Sequence, residues 1–325
     1  MGRAGYILRR LIKGVIVVLA IIVLNFFLIR AAPGDPAMAL AGEAGAADAE
    51  YLAKLRQDFG LDRPVHEQLA IYMWGFVTLD LGYSYKHGQP VIKLIGERLP
   101  STILLTITAY ILSLALGVAF GTIAALRVNS WVDTTFTVLA LVFYAVPLFW
   151  LALMSILLFS VVLDWLPAVG YATVGAGHTG LAHFLDVAHH MVLPTIALSL
   201  FYLAVYARLT RASVLEVSRQ EFVTTARAKG VDEGRIVRAH ILRNAILPVI
   251  SMAGVQAGHL VGGTVIVETI FAWPGIGRLA FEAALGRDYT LLLGVFFLTS
   301  ALVVFFNLLT DLVYSVVDPR IEVAS

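Results

Sequence analysis

The sequence predicts an all-α membrane protein with six transmembrane helices. Of its 325 residues, 59% are hydrophobic and only 14% are charged, whereas soluble domains carry about 25% charged residues. The apolar residues form long runs, and a helix needs about 20 such residues to cross a bilayer. The net charge of +1 excludes a strongly basic nucleic-acid binder. The absence of cysteine excludes disulfides, thiolate metal sites and cysteine nucleophiles.

The six apolar runs occupy residues 11–29, 102–126, 134–163, 191–207, 246–270 and 289–317. The first is about twice as long as the apolar part of a signal peptide, so we expect an uncleaved anchor. The third exceeds a straight span and contains Pro147, which predicts a bend at that residue. The fourth is expected to carry Pro194 in its first turn.

Lysine and arginine are concentrated before the first run and between the fourth and fifth runs. Basic residues flanking membrane helices stay on the cytoplasmic side. With six spans, this bias predicts that both chain termini are cytoplasmic. It also predicts three regions: an N-terminal segment with the first span (1–32), an extracytoplasmic loop (33–100) and a five-helix core (101–325) with a cytoplasmic loop at 208–245.

The extracytoplasmic loop contains two apolar patterns with helical spacing. They are Leu52, Leu55 and Phe59, and then Leu69, Tyr72, Met73 and Phe76. We expect two short amphipathic helices. A structural lid is the favoured interpretation, and a docking surface for a soluble partner is the alternative.

A second outer loop, residues 163–190, contains four histidines: His178, His183, His189 and His190. His183, Asp186 and His190 would share one face of a helix, an arrangement that suits a metal ion. No thiol or second carboxylate completes such a site. Interfacial polar residues are therefore the favoured interpretation, and no metal site is predicted.

The cytoplasmic loop predicts a helix over 221–229 that ends at Gly230. Asp232 then suits the N-cap of a second helix over 233–243, and Pro248 is expected where the chain enters the fifth span. Phe222 and Ala226 are four residues apart, so they share a helical face that would fit a partner's groove. A solvated basic loop is the alternative.

Residues 224–230, Thr-Thr-Ala-Arg-Ala-Lys-Gly, followed by Ile-Leu-Pro at 246–248, resemble the EAA loop of ATP-binding-cassette (ABC) importer permeases. Threonines at the first two positions and a longer gap before Pro248 resemble the dipeptide/oligopeptide/nickel branch of that family. Residues 80–84, 98–102, 268–277 and 318–320 resemble other stretches of this branch. The large loop after the first span is similar to its B-type subunit.

This resemblance implies a type I ABC importer permease fold in a bacterial inner membrane. It implies a homologous C-type permease subunit, two ATPase subunits that hold ATP and Mg, and an extracytoplasmic substrate-binding protein as partners. Short peptides are the implied substrate, with nickel, glutathione or another small solute as alternatives. The residues implied to form the ATPase-coupling helix are Phe222, Thr224, Thr225, Ala226, Arg227, Ala228, Lys229 and Gly230.

The chain lacks any Gly-Lys dipeptide and therefore cannot form a Walker A phosphate loop. We expect no catalytic residues and no cofactor bound by this chain. An ion-driven secondary transporter would need buried charges near the membrane midplane and inverted repeats, which the sequence does not show. A membrane scaffold without transport activity would not need the two cytoplasmic helices that meet at Gly230.

The fifth span contains Gly254, Gly258 and Gly262 at four-residue steps, which predicts a face of close helix packing. The same face would serve as a separating surface beside a translocation path. Gln256 and His259 are polar residues of this span and are pore candidates. Glu268 is expected near the outer end of the span, where a charge costs little free energy, so it needs no role in transport.

Overall fold

The structure is a computed structural model that describes residues 3–31, 57 and 62–317. Within these residues the chain is almost entirely helical. Its helices are α1 (Arg3–Ala31), α2 (Val65–Thr78), α3 (Val91–Leu126), α4 (Trp131–Ala145), α5 (Leu148–Ser155), α6 (Gly180–Ser218), α7 (Glu221–Ala228), α8 (Glu233–Arg235), α9 (Leu242–Ile270), α10 (Ile276–Leu285) and α11 (Tyr289–Val317). A small antiparallel hairpin of β1 (Tyr83–Ser84) and β2 (Gln89–Pro90) precedes α3. Wider π-helical turns extend α5 through Ile156–Val162 and join α8 to α9 through Ile236–Ile241.

Five of the described helices are long and apolar enough to cross a membrane, and the number becomes six if α4 and the extended α5 form one broken span. These two helices meet at an angle of 104°. The bend predicted at Pro147 is confirmed, because α4 ends at Ala145 and Val146 has an extended backbone. Proline disfavours a helical conformation in the preceding residue and cannot donate a backbone hydrogen bond.

Two predicted helix boundaries are wrong. Helix α6 begins at Gly180 rather than at residue 191, so Pro194 lies inside the helix instead of in its first turn. The helical segment that begins at Glu233 runs without a break to Ile270, with Pro248 inside it. Hydropathy locates the part of a helix inside the membrane, but the helix can continue into polar sequence on either side. A membrane helix also tolerates an internal proline when neighbouring groups bond to the carbonyl that the proline leaves free.

The first of two compact units contains the described residues up to Thr102 together with Pro274–Leu308. Its core joins the start of α3 to α10 and α11, with Val91, Ile95, Leu279 and Leu291 all nearly inaccessible to solvent. Helix α2 adds Phe76, whose ring lies 4.3 Å from that of Phe297. The amphipathic helix predicted at residues 69–76 is thus confirmed, whereas the one at Leu52, Leu55 and Phe59 lies outside the described residues.

The second unit contains Ile103–Trp273 and is built around α6. Helix α3 approaches α6 very closely, because a Cβ added to Gly117 would lie 2.5 Å from the Tyr206 Cβ. Helix α10 and the part of α11 up to Leu308 pack with the N-terminal part of the chain in the first unit. Apolar side chains from both ends of the sequence form that core, which local patterns do not reveal.

The candidate coupling corner and pore helices

A tight corner follows the C-terminal end of α6. Helix α7 begins at Glu221 and ends at Ala228, and Gly230 adopts a φ of +74° that favours glycine. The Asp232 side chain accepts a hydrogen bond of 3.2 Å from the Arg235 backbone N–H and caps the next helix. The predicted helix, its glycine stop and its aspartate cap are therefore confirmed.

The coupling corner, residues 219–235, is held in place by a small apolar cluster. Val223 and Ala226 of α7 are buried against Val217 of α6 and Ile236 and Ile241 of the following turns. The expectation that Ala226 shares an outward face with Phe222 is wrong, because Ala226 is 7% exposed and Phe222 is 39% exposed. One face of this short helix packs against the rest of the chain, and the small side chain of Ala226 on that face allows α7 to lie close to α6.

The outward face of the coupling corner contains the other residues of the implied coupling helix. These exposed residues are Phe222, Thr224, Thr225, Arg227, Ala228, Lys229 and Gly230. Arg227 is engaged within the chain: its Nη2 donates to Glu233 Oε1 at 2.7 Å and its Nε to Oε2 at 3.2 Å. This hydrogen bonding raises the pKa of Arg227 above its usual range. Both side chains are largely exposed, so water screens the attraction between their charges. The pair braces the turn between α7 and α8.

The pore candidates lie on α9. Gly254 and Gln256 are half-buried. The backbone of Gly258, His259 and Gly262 is helical, and the surroundings of their side chains lie outside the described residues. Their assignment to a helix interface or a pore therefore stays a prediction.

A different pair of glycines, Gly117 and Gly121 of α3, makes a close helix contact with α6. A Cβ at Gly121 would contact the Ala207 carbonyl oxygen and would lie 2.7 Å from the Thr210 Cβ. This contact was not predicted from the sequence. The available signal was the four-residue spacing of these glycines, the same spacing that drew attention to α9.

Three of the four outer-loop histidines lie on α6 rather than in a loop. Asp186 accepts hydrogen bonds of 2.8 Å from both the backbone N–H and the hydroxyl of Thr173, and His190 Nδ1 lies 2.9 Å from the Asp186 carbonyl oxygen. The two hydrogen bonds from Thr173 fasten the loop to the start of α6, whereas the His190 contact lies within the helix. In the described part of the chain, no group of three potential metal-ligating side chains is placed to hold an ion.

Glu268, near the C-terminal end of α9, is fully buried, as is Trp273 in the turn that follows this helix. The Trp273 backbone N–H donates to the Glu268 carbonyl oxygen at 2.8 Å. The Trp273 ring lies 4.9 Å from the Tyr171 ring, and the Gly170 backbone N–H donates to the Phe271 carbonyl at 2.8 Å. The turn after α9 is covered by the segment before α6, which local sequence could not indicate.

Comparison with known proteins places this arrangement in a family. Residues 117–323 match the model of the binding-protein-dependent transport system inner membrane component, and residues 3–106 match the model of its N-terminal part. The dipeptide transport system permease protein DppB of Escherichia coli (strain K12) is 38% identical over 334 residues, covering 98% of each chain. The protein of the same name from Alkalihalophilus pseudofirmus is 38% identical, covering 98% of this chain and 99% of that one.

A solved structure, the inward-facing MetNI methionine ABC transporter, superposes with a TM-score of 0.57 at 18% sequence identity. The match covers 70% of this chain and 97% of the transporter chain. At this identity the likeness shows the fold, that of a type I ABC importer permease. Because both family models match and the relatives align over nearly the full length, the chain belongs to the family of binding-protein-dependent transport system inner membrane components.

Proposed function

We propose that this chain forms half of the translocation pathway of an ATP-driven importer for short peptides. The substrate class rests on the names of its relatives, two of which are dipeptide transport permeases. A C-type permease subunit would supply the other half of the pathway, and an extracytoplasmic binding protein would deliver the peptide. Two ATPase subunits with ATP and Mg would supply the energy.

The coupling corner is the observation that carries this proposal. It presents a continuous exposed face of small and apolar side chains, Phe222, Thr225 and Ala228 among them. A helix with such a face fits a groove on a partner protein. The chain has no phosphate-binding loop of its own, so energy for pumping must arrive mechanically through a contact of this kind.

The attachment of the corner to α6 explains how a push on α7 would reach the membrane. Val223 and Ala226 are buried against α6 and the turns before α9, and well-packed interiors are stiff and transmit displacement. A displacement of α7 would therefore move the ends of α6 and α9 together. Alternating access in transporters uses rigid-body movements of this type.

Reconstitution of the importer tests the function. The chain would be purified in mild detergent with its associated subunits, placed in vesicles, and supplied with the binding protein and labelled glycyl-leucine. We expect accumulation that requires ATP, with Ni²⁺ and glutathione failing to compete. Accumulation driven by an ion gradient without ATP would contradict the proposal, as would competition by Ni²⁺ or glutathione at concentrations where unlabelled dipeptide has no effect.

A further inference from the structure

An ion pair joins α4 to α6 close to the coupling corner. Arg211 Nε donates to Asp133 Oδ1 at 2.6 Å, and Arg211 Nη2 donates to Asp133 Oδ2 at 2.7 Å. The two parallel hydrogen bonds fix both the distance and the orientation of the groups, because the guanidinium and the carboxylate are planar. The Asp133 side chain is only 7% exposed and that of Arg211 is 30% exposed.

The carboxylate of Asp133 has all of its hydrogen-bonding capacity engaged. Besides Arg211, it accepts from the Asn129 backbone N–H at 3.1 Å and from the Thr137 hydroxyl at 3.4 Å. Ser130 caps the same turn by accepting from the Asp133 backbone N–H. The start of α4 is therefore expected to move together with Arg211.

The pair lies where three helices meet. Gly121 of α3 approaches α6 at the same level, since an added Cβ would lie 3.0 Å from the Arg211 backbone nitrogen. One turn earlier on α6, Arg208 lies over the Tyr144 ring at 4.4 Å and makes a second contact with α4. Tyr144 directly precedes the 104° bend at residues 146–147.

A continuous chain of contacts thus runs from the corner to the bend. Helix α7 is buried against the end of α6, α6 holds α4 through Arg211, and α4 leads into the bend before α5. Apolar packing between helices resists separation but permits sliding, whereas a bidentate arginine–carboxylate pair resists both. The two parallel hydrogen bonds of the ion pair therefore give the contact between α4 and α6 a fixed direction.

We propose that Arg211 and Asp133 are positioning residues that transmit movement of the coupling corner to the α4–α5 bend during the transport cycle. This inference rests on the proposed function, because it requires an ATPase to move the corner. It assigns to the pair a role in transmission that is separate from a role in holding the fold.

Two variants separate these roles. In Asp133→Leu with Arg211→Met, apolar side chains replace a buried ion pair, an exchange that is often neutral or stabilising. In Arg211→Lys, the charge that balances Asp133 remains but the planar fork is lost, so the chain keeps a paired carboxylate if the double variant does not fold. Glu282→Gln is the matched control, because it removes a 2.7 Å arginine–carboxylate pair that lies within the single helix α10.

The absence of cysteine allows spin labels at Val138→Cys on α4 before the bend and at Leu157→Cys beyond it, both at exposed positions outside the coupling corner. The distance between these labels reports the bend itself. The measurement is the distance between the two labels in the full importer complex, before and after addition of ATP and vanadate. ATP hydrolysis and the thermal unfolding midpoint are recorded on the same samples. Helix movements at interfaces are typically about 1–5 Å, which pulsed electron resonance detects as a shift of the distance distribution.

We expect a shift of about 2 Å or more in the native sequence and in Glu282→Gln. Both ion-pair variants should lose most of this shift while ATP hydrolysis stays within about twofold and the unfolding midpoint is unchanged, since coupling between sites is separable from stability. A native-sized shift in either folded variant would overturn the transmission role alone. A native complex with bound ATPase but no nucleotide-dependent shift would also overturn the transmission role alone. A native complex without bound ATPase would overturn the proposed function and the transmission role with it.

Discussion

Replacement of Gly121 by alanine is expected to weaken the α3–α6 contact. The added Cβ would contact the Ala207 carbonyl oxygen and lie 2.7 Å from the Thr210 Cβ, whereas carbon atoms pack best at about 3.5–4.0 Å. The obstructing atoms belong to the backbone and to a β-carbon, so no side-chain rotation relieves the contact. Overpacking of this kind costs about 1–3 kcal/mol. The better helix propensity of alanine returns up to about 1 kcal/mol.

Gly96→Ala is the matched control, because Gly96 lies on the same helix and an added Cβ there would have no neighbour within 4 Å. Gly96→Ala should raise the free energy of unfolding by up to about 1 kcal/mol, and Gly121→Ala should lower it by about 1–2 kcal/mol. The assay is reversible unfolding of the purified chain in mixed micelles, followed by circular dichroism. Equal stabilisation by both substitutions would refute the close approach of α3 to α6.

Three further outcomes are expected. Ala228→Glu, on the exposed face of the coupling corner, should reduce recovery of the ATPase in pull-down by about tenfold. Ala239→Glu, at an exposed position outside α7, should not reduce it. Equal recovery with both variants would contradict the docking face. A cysteine at His178 should react with an impermeant thiol reagent from outside the cell and one at Arg235 should not, and reaction of both from one side would contradict the orientation. Asp288→Asn should weaken the hydrogen bond that Ser84 donates to Asp288 and lower stability by about 1–2 kcal/mol, measured by thermal unfolding. The control Glu97→Gln removes an exposed ion pair with Lys93 at 3.9 Å and should change stability little. Equal effects of the two substitutions would contradict anchoring of the hairpin by Asp288.

Most of the fold could be predicted from the sequence, because membrane helices leave a strong compositional signal. Long apolar runs located the spans, and Pro147 located the bend through the steric effect of proline on the preceding residue. The start of α6 was missed because residues 180–190 contain histidines and Asp186, which lower hydropathy without preventing helix formation. The packing of α10 and α11 with the N-terminal part could not be predicted from local patterns, because it depends on contacts between distant residues such as Val91 and Leu291.

The candidate site could be predicted in its local geometry but not in its packing. Gly230 and Asp232 indicated the corner because their backbone requirements are local. Which face of α7 turns inward depends on the apolar residues of α6 and of the turns before α9, so the burial of Ala226 was not foreseen. The pairing of Asp133 with Arg211 joins residues from different helices, and neither residue belongs to a recognisable motif.

The central claim is that the coupling corner contacts an ATPase, and site-directed crosslinking tests it most directly. Single cysteines at Thr225 and Ala228 on the exposed face, at the buried Ala226, and at His178 far along the chain would each carry a short photoactivatable crosslinker in native membranes. We expect Thr225 and Ala228 to crosslink to an ATP-binding subunit, with a yield that changes when ATP and vanadate are added. We expect no such crosslink from Ala226 or His178. Absence of any crosslink from Thr225 and Ala228, or an equal crosslink from His178, would contradict it.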